Sequence, residues 1–466
     1  VLPVSVISLS ALGSVRLNRN CPKPNTRRQQ VGLVLIVRKI GYGKRPEDYG
    51  GNFGFRSPKI ASFHPVSFSL ASGNQFAILL IVREIKKLFA TSRTRLKELK
   101  QDFQASCEGS IPFTRSIRHN DRARHAPKTM DPLLRNFSSA VLAQLPTPVV
   151  KFPMIGNLVG HNRLFMKRDD LSGPIYGGNK IRKLEFLLGE ALAQGCKTVI
   201  TYGAAGSNHA LATAICCRQL GLRAVSVLAP QEPTDYVRKN ILMGHAAGAE
   251  LHLCSDFNEF PKATAEISTR LADRDGIAPY IIPAGGTNAT GALGFVNAAL
   301  ELAEQVQPDV IYIPMGTGGT YAGLLTGFLL TDCKPRIEAI RVVERAFRDE
   351  THIKTLCDEL CVKLGLEQRV AKEDIIIRDE FFGDGYGIPT PEGREAVECF
   401  QRLEGIYLEN TYTGKTVAAL LHDLHAGKLD GQTVLYWNTL NARDFSSAIV
   451  DIDFHDLPFA FHFYFE

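Results

Sequence analysis

Beyond Met130 this chain repeats one pattern: a short apolar run, a glycine-bearing turn, then a stretch with helical spacing. The runs are Lys197–Tyr202, Ala224–Ala229, Glu250–Cys254, Tyr280–Pro283, Val310–Pro314, Ile340–Val343 and Thr433–Trp437. Between most of them lie helical patterns such as Asn208–Leu220, Thr234–Ala247 and Phe260–Arg274. Strand and helix in regular alternation imply parallel strands, because a helical crossover is what returns the chain to the same end of a sheet. Runs that are apolar throughout, rather than every second residue, mean burial on both faces. There are too many runs for one small sheet. The expected fold is therefore α/β, with two open, mostly parallel sheets flanked by helices and a cleft between a larger and a smaller domain. Residues 130–192 and 291–466 are assigned to the larger domain and 193–290 to the smaller.

Charge divides the chain differently. Residues 1–129 hold 23 Lys and Arg against 7 Asp and Glu, whereas residues 130–466 hold 31 against 41. The first methionine is Met130. Residues 1–129 accordingly read as a basic leader, disordered or an upstream read-through, with translation expected to begin at Met130. An Arg- and Ser-rich transit region and a nucleic-acid-binding arm compete with that reading. The arm is disfavoured because aromatic residues do not interleave with the basic ones in any recognisable module, so no nucleic-acid partner is expected. No apolar run approaches the roughly 20 residues that cross a bilayer, and no membrane association is expected. The ten cysteines show no paired framework, which fits a reducing, cytoplasmic setting. Cys357 and Cys361 read as packing residues, and no metal site is expected.

Chemistry is concentrated in the turns. Gly177-Gly178-Asn179-Lys180 sets a lysine where a glycine turn becomes a helix, and Ile181, Leu184 and Leu188 recur at the spacing that anchors such a helix in a core. An amine at a helix N-terminus, with Arg182 and Lys183 near, is expected to lose its proton readily and to attack an aldehyde. Taken by themselves these residues are equally a solvated basic first turn. Three further turns, Tyr202–His209, Gly285–Asn288 and Met315–Gly323, follow strands, at the end where open α/β sheets bind ligands. The last is a candidate phosphate cradle, with backbone N–H groups and threonine hydroxyls but no P-loop lysine. A Schiff-base lysine, a Ser-Asn pair and a metal-free phosphate cradle together meet the needs of pyridoxal phosphate.

Residues from about Leu145 to Asp444 resemble the family of D-cysteine desulfhydrase and 1-aminocyclopropane-1-carboxylate deaminase, within the tryptophan-synthase-β-like group of pyridoxal-phosphate enzymes. The resemblance rests on Thr147-Pro148, Lys167-Arg168-Asp169-Asp170-Leu171, Gly177–Glu185, Ser207-Asn208-His209, Gly316–Gly323, Gly385-Tyr386-Gly387-Ile388-Pro389 and Tyr412-Thr413-Gly414-Lys415. It implies pyridoxal 5'-phosphate in the cleft, held by the larger domain, and a homodimer acting on a small amino acid. It also implies that Lys180 is bonded to the cofactor's aldehyde and then moves the α-proton, with Lys183 a neighbour that need not point into the same site. By the same resemblance Asn208 bonds the cofactor's phenolic oxygen, and Ser207 and His209 face the substrate. Thr317, Gly318, Gly319 and Thr320 form the phosphate loop, and Tyr386 and Tyr412 flank the substrate. Read alone, His209 is as well explained by packing or capping, and the tyrosines by ordinary core placement.

Thr413 resembles the residue facing the pyridine nitrogen, a glutamate in the deaminase branch and a hydroxyl residue in the desulfhydrase branch. Thr439 resembles a second branch marker, and both favour the desulfhydrases. The implied reaction is α,β-elimination, most simply D-cysteine to pyruvate, ammonia and hydrogen sulfide. The alternatives are 1-aminocyclopropane-1-carboxylate deamination and a pyridoxal-phosphate-binding protein without turnover. Asn438-Thr439-Leu440-Asn441 departs from the family's His-Thr-Gly-Gly, and the aromatic tail Phe454–Glu466 matches nothing in it, being either a docking segment or a frame artefact.

Overall fold

The structure, a computed structural model, describes residues 131–466 and, separately, two strands, Val34–Arg38 and Phe63–Ser67, that pair antiparallel. The remainder of the basic leader, with the expectations attached to it, lies outside the described residues.

From residue 131 onward the strands form two sheets. The larger has six strands in the spatial order Ile377–Arg378, Arg336–Arg341, Val310–Met315, Val434–Asn438, Leu164–Arg168 and Val149–Lys151. All its pairings are parallel except the last, which is antiparallel. The smaller is wholly parallel, in the order Glu250–Leu253, Arg223–Ala229, Thr198–Ala204 and Tyr280–Ile282. Helices cover both. The expected α/β fold of two mostly parallel sheets flanked by helices is the observed one.

The continuous apolar runs are explained by two-sided burial. On the strand Val310–Met315, Ile311 and Ile313 enter one core with Ile337, Leu435 and Trp437, while Val310 and Tyr312 enter another with Ile340, Val434 and Tyr436. The period-2 pleat sends neighbours to opposite faces, and both faces are dry. Three strands escaped the sequence reading. Ile377–Arg378 has only two residues, and Val149–Lys151 only three. Leu164–Arg168 ends in two cations that look like surface residues, yet Lys167 is fully buried.

That buried lysine belongs to an ionic cluster beneath the helix Asn179–Ala193. The Arg182 guanidinium donates to Asp169 at 2.8 and 2.9 Å and to both Glu301 oxygens at 2.9 and 3.0 Å. Lys167 Nζ donates to Glu301 at 2.5 Å and to the Thr147 carbonyl at 2.8 Å, and the Trp437 indole N–H donates to Asp169 at 2.8 Å. Thr147, Lys167 and Asp169, which carried the family resemblance, therefore bolt the lysine helix to the larger sheet. Arg182 was expected to act on Lys180. Instead it turns into this cluster, where two carboxylates neutralise it.

The aromatic tail also packs. Phe461 and Tyr464 are fully buried in the core beside the smaller sheet, and the Tyr464 hydroxyl accepts the Gln231 backbone N–H at 3.0 Å. Among the described residues no helix is long and apolar enough to cross a membrane.

Candidate active site

The turn that launches the lysine helix is shaped by contacts that only glycine permits. A Cβ on Gly177 would lie 2.1 Å from the Asp170 carbonyl oxygen, and Gly178 has φ +87°, with its would-be Cβ 2.7 Å from the Thr439 carbonyl oxygen. Gly178 N–H donates to the Asp169 carbonyl at 2.7 Å, Asn179 N–H to the Thr439 carbonyl at 3.1 Å, and Gly177 N–H to Asn441 Oδ1 at 2.7 Å. Asn441 and Thr439, in the segment that departs from the family pattern, thus form the seat of the glycine turn.

Lys180 leaves that turn into a cavity of about 1060 Å³ between the two sheets. Its amine donates to Asn179 Oδ1 at 2.8 Å, while Asn179 Nδ2 donates to Thr320 Oγ1 at 3.1 Å. Burial penalises the ammonium and pulls its pKa down to about 8, with only Glu409 opposing. Lys183, three residues on, which by its spacing need not share the site, shares the helix face and lines the same cavity. Its Nζ donates to the Gly285 carbonyl at 3.1 Å, and burial, reinforced by Lys180, holds its pKa well below the usual lysine range.

Beside Lys183 begins the helix Gly319–Leu329, whose N-cap Gly318 sits at φ +87° and offers no side chain to the first N–H groups. A Cβ on Gly319 would lie 2.8 Å from Lys183 Nζ. The hydroxyls of Thr287 and Thr317 meet at 2.6 Å across the same corner. An uncapped helix start, a lysine and two hydroxyls make an anion cradle. The lysine that the Met315–Gly323 turn lacks comes from another helix.

Across the cavity, Ser207 caps the helix Asn208–Leu220 by accepting the Ala210 N–H at 3.2 Å. Asn208 Oδ1 accepts from the Tyr236 hydroxyl, and from Tyr176 and Asn240 at 3.3 Å each. Three donors on the oxygen leave the amide NH₂ as the group that faces a ligand. His209 is buried, with neither ring nitrogen hydrogen-bonded. Burial, then Lys180 and Lys183, push its pKa well below the ordinary value, so it is a neutral imidazole.

The fourth wall comes from two distant segments. The Tyr386 and Tyr412 hydroxyls are 2.8 Å apart with their rings edge to face, and burial raises both pKa values. Lys415 holds the Tyr386 loop by donating to the Gly385 carbonyl at 3.1 Å. Thr413, fully buried, bonds to Glu409 through both backbone and side chain. Thus Lys180, Ser207, Asn208, His209, Thr317, Gly318, Thr320, Tyr386, Tyr412, Thr413 and Thr439 line one cavity, with Gly319 behind Lys183. Sequence reasoning missed Glu409 and the part played by Lys183. The second was legible in the i, i+3 spacing, whereas nothing local marked the first.

A family model described as pyridoxal-phosphate dependent enzyme matches residues 141–439. A solved structure described as an ACC deaminase homologue is 35% identical at a TM-score of 0.61, covering 67% of this chain and 96% of that one. Serine racemase from Dictyostelium discoideum is 20% identical at 0.45, covering 64% and 93%. An L-serine ammonia-lyase from Rhizomucor miehei is 18% identical at 0.46, covering 66% and 98%.

Proposed function

From the premise that this chain belongs to the pyridoxal-phosphate-dependent enzyme family, with pyridoxal 5'-phosphate as its cofactor, we propose that it catalyses α,β-elimination on a small amino acid. The simplest substrate is D-cysteine, converted with water to pyruvate, ammonia and hydrogen sulfide. The observation that carries the proposal is Lys180: a buried amine, its proton loosened by that burial, in a cavity that also holds an anion cradle.

The residues fit the cofactor. The uncapped N–H groups at Gly318–Thr320, the hydroxyls of Thr287 and Thr317, and Lys183 suit its phosphate. Asn208 Nδ2, with Oδ1 already engaged by Tyr176, Tyr236 and Asn240, would donate to the cofactor's phenolic oxygen. When bound, the cofactor draws electrons from the substrate's α-carbon.

The chain's own groups do the rest. Lys180 Nζ, neutral above about pH 8, is the base for the α-proton and can return it. Ser207 and the start of its helix offer hydroxyl and N–H donors to the substrate carboxylate. The paired Tyr386 and Tyr412 hydroxyls keep their protons, and the one proton not spent between them can be donated to the departing sulfur.

Lys183→Met should leave the fold intact and weaken pyridoxal phosphate binding about tenfold to a hundredfold, because the phosphate's charge would restore the Lys183 proton and make the contact charge-assisted. An absorbance titration of cofactor-free protein measures this. An unchanged dissociation constant would remove Lys183 from the cradle.

The proposed activity is tested by incubating the holoenzyme with D- and L-cysteine, D-serine and chloroalanine and assaying pyruvate and, from the cysteines, sulfide. Absence of product from all of them defeats elimination. A second reading, deamination of 1-aminocyclopropane-1-carboxylate, is favoured by the 35% identity to a structure described as an ACC deaminase homologue. Release of 2-oxobutyrate from that compound would establish it.

A further inference from the structure

We propose that Glu409 is a positioning residue acting through Thr413: its carboxylate orients the Thr413 hydroxyl and sets a negative charge behind it, so this wall favours a protonated ring nitrogen on the bound cofactor. The inference rests on the reading that Thr413 faces that nitrogen.

The hydrogen bonds around Thr413 are specific. Glu409 Oε1 accepts the N–H of Tyr412 at 2.8 Å and of Thr413 at 2.7 Å, and Oε2 accepts the N–H of Thr411 at 2.7 Å. The Thr413 hydroxyl accepts the Glu409 N–H at 2.8 Å and reaches the Glu409 carbonyl at 3.0 Å and Oε1 at 3.1 Å. A threonine hydroxyl has one proton. Here that proton has acceptors in the Glu409 carbonyl and carboxylate and in the neighbouring Tyr436 hydroxyl, so toward the cavity Thr413 accepts and does not donate. A ligand atom seated against it must carry the proton, as a pyridinium N–H does and a neutral pyridine nitrogen does not.

Charge points the same way. Glu344 and Glu409 are the acidic residues lining the cavity, and Glu409 is 9% exposed. Groups on every surrounding element feel it: Lys180 from the lysine helix, Tyr236 from the helix Asp235–Ala246, Tyr386 from its loop, Tyr436 from the strand Val434–Asn438, and Tyr412 and Lys415 on its own segment. A carboxylate bonded to the back of the contact raises the affinity of a nearby nitrogen for its proton. A neutral hydroxyl at position 413 therefore does not imply a weak electron sink in this protein.

Glu409 also caps the helix Thr413–His425, and the test must separate the two roles. Glu409→Gln keeps volume and an acceptor oxygen for the N–H groups of Tyr412 and Thr413 but removes the charge and the acceptor of the Thr411 N–H. Holoenzyme carrying pyridoxal phosphate labelled with ¹⁵N in the ring reports protonation directly by NMR. The wild type should show a protonated nitrogen. In E409Q the pH at which it titrates should fall by about one unit or more, while the thermal unfolding midpoint registers the lost Thr411 N–H bond separately. Adding Thr413→Val should shrink the difference between Glu and Gln at position 409 to the part that the charge exerts through space. A wild-type nitrogen that is already neutral, or an E409Q titration matching wild type with the cofactor bound, overturns the inference and leaves the proposed function standing. A wild type that binds no cofactor takes both down.

Discussion

Lys180→Ala is expected to bind pyridoxal phosphate without the visible absorption band of lysine-bound cofactor, and to lose turnover by a factor of about 10² to 10⁴, the usual contribution of a positioned base. The cavity should survive. Asn179, Gly177 and Gly178 are held by backbone and side-chain bonds that do not involve the Lys180 amine. Phosphate affinity should persist because the cradle uses Lys183, Thr287, Thr317 and the start of the helix Gly319–Leu329. In the wild type, burial lowers the Lys180 pKa to about 8, so the neutral, nucleophilic amine accumulates as pH rises. The rate at which cofactor-free protein gains the visible band should climb toward pH 8 and level off above it. Stopped-flow absorbance across pH 6 to 10 measures the profile, and a Lys180→Ala protein with wild-type spectrum and rate would remove this lysine from the chemistry.

Glu301→Gln should cost stability rather than chemistry. The carboxylate answers Arg182 and Lys167, both essentially without solvent, and removing one member of a buried ionic cluster typically costs about 3–5 kcal/mol. The denaturant midpoint should fall with an unchanged slope, because the exposed surface of the unfolded chain is the same. The effect depends on pH with a definite sign. Burial works against the charged form of Glu301, but Arg182 and Lys167 outweigh it and hold the pKa at about 2, below the unfolded value of about 4.3. A depressed carboxyl contributes fully above the unfolded value, and the contribution disappears as pH falls through the folded one. Wild type and variant should thus differ most above about pH 5 and converge toward pH 2. A constant difference across that range would mean that the cluster does not depend on this charge.

The strand-helix alternation was legible because it is written in local periodicity. The helix Asn208–Leu220 is found where its spacing put it, and the helix Asp235–Ala246 begins one residue inside its expected start because Thr234 is its cap. The strand Arg336–Arg341 begins earlier than the run Ile340–Val343, because Glu338 on it is buried beside Arg336 and Arg378 and breaks the apolar pattern. Lys167 hid its strand for the same reason. A charge buried with a partner looks, in one dimension, like a charge in water.

At the site, the lysine proposed for covalent chemistry and the glycine turn before it were legible in the sequence. Glycine at 177, 178 and 318 is demanded by backbone angles or approaches that a Cβ forbids, and such demands leave a local mark. Tertiary structure decided the electrostatics. Arg182 stands two residues from Lys180 yet belongs to Asp169 and Glu301, whereas Lys183 completes a cradle begun more than a hundred residues later. Glu409 lies behind Thr413, in contact with the hydroxyl that would meet the cofactor. Coulomb and hydrogen-bond energies depend on distance and burial in space, and neither is a function of separation along the chain.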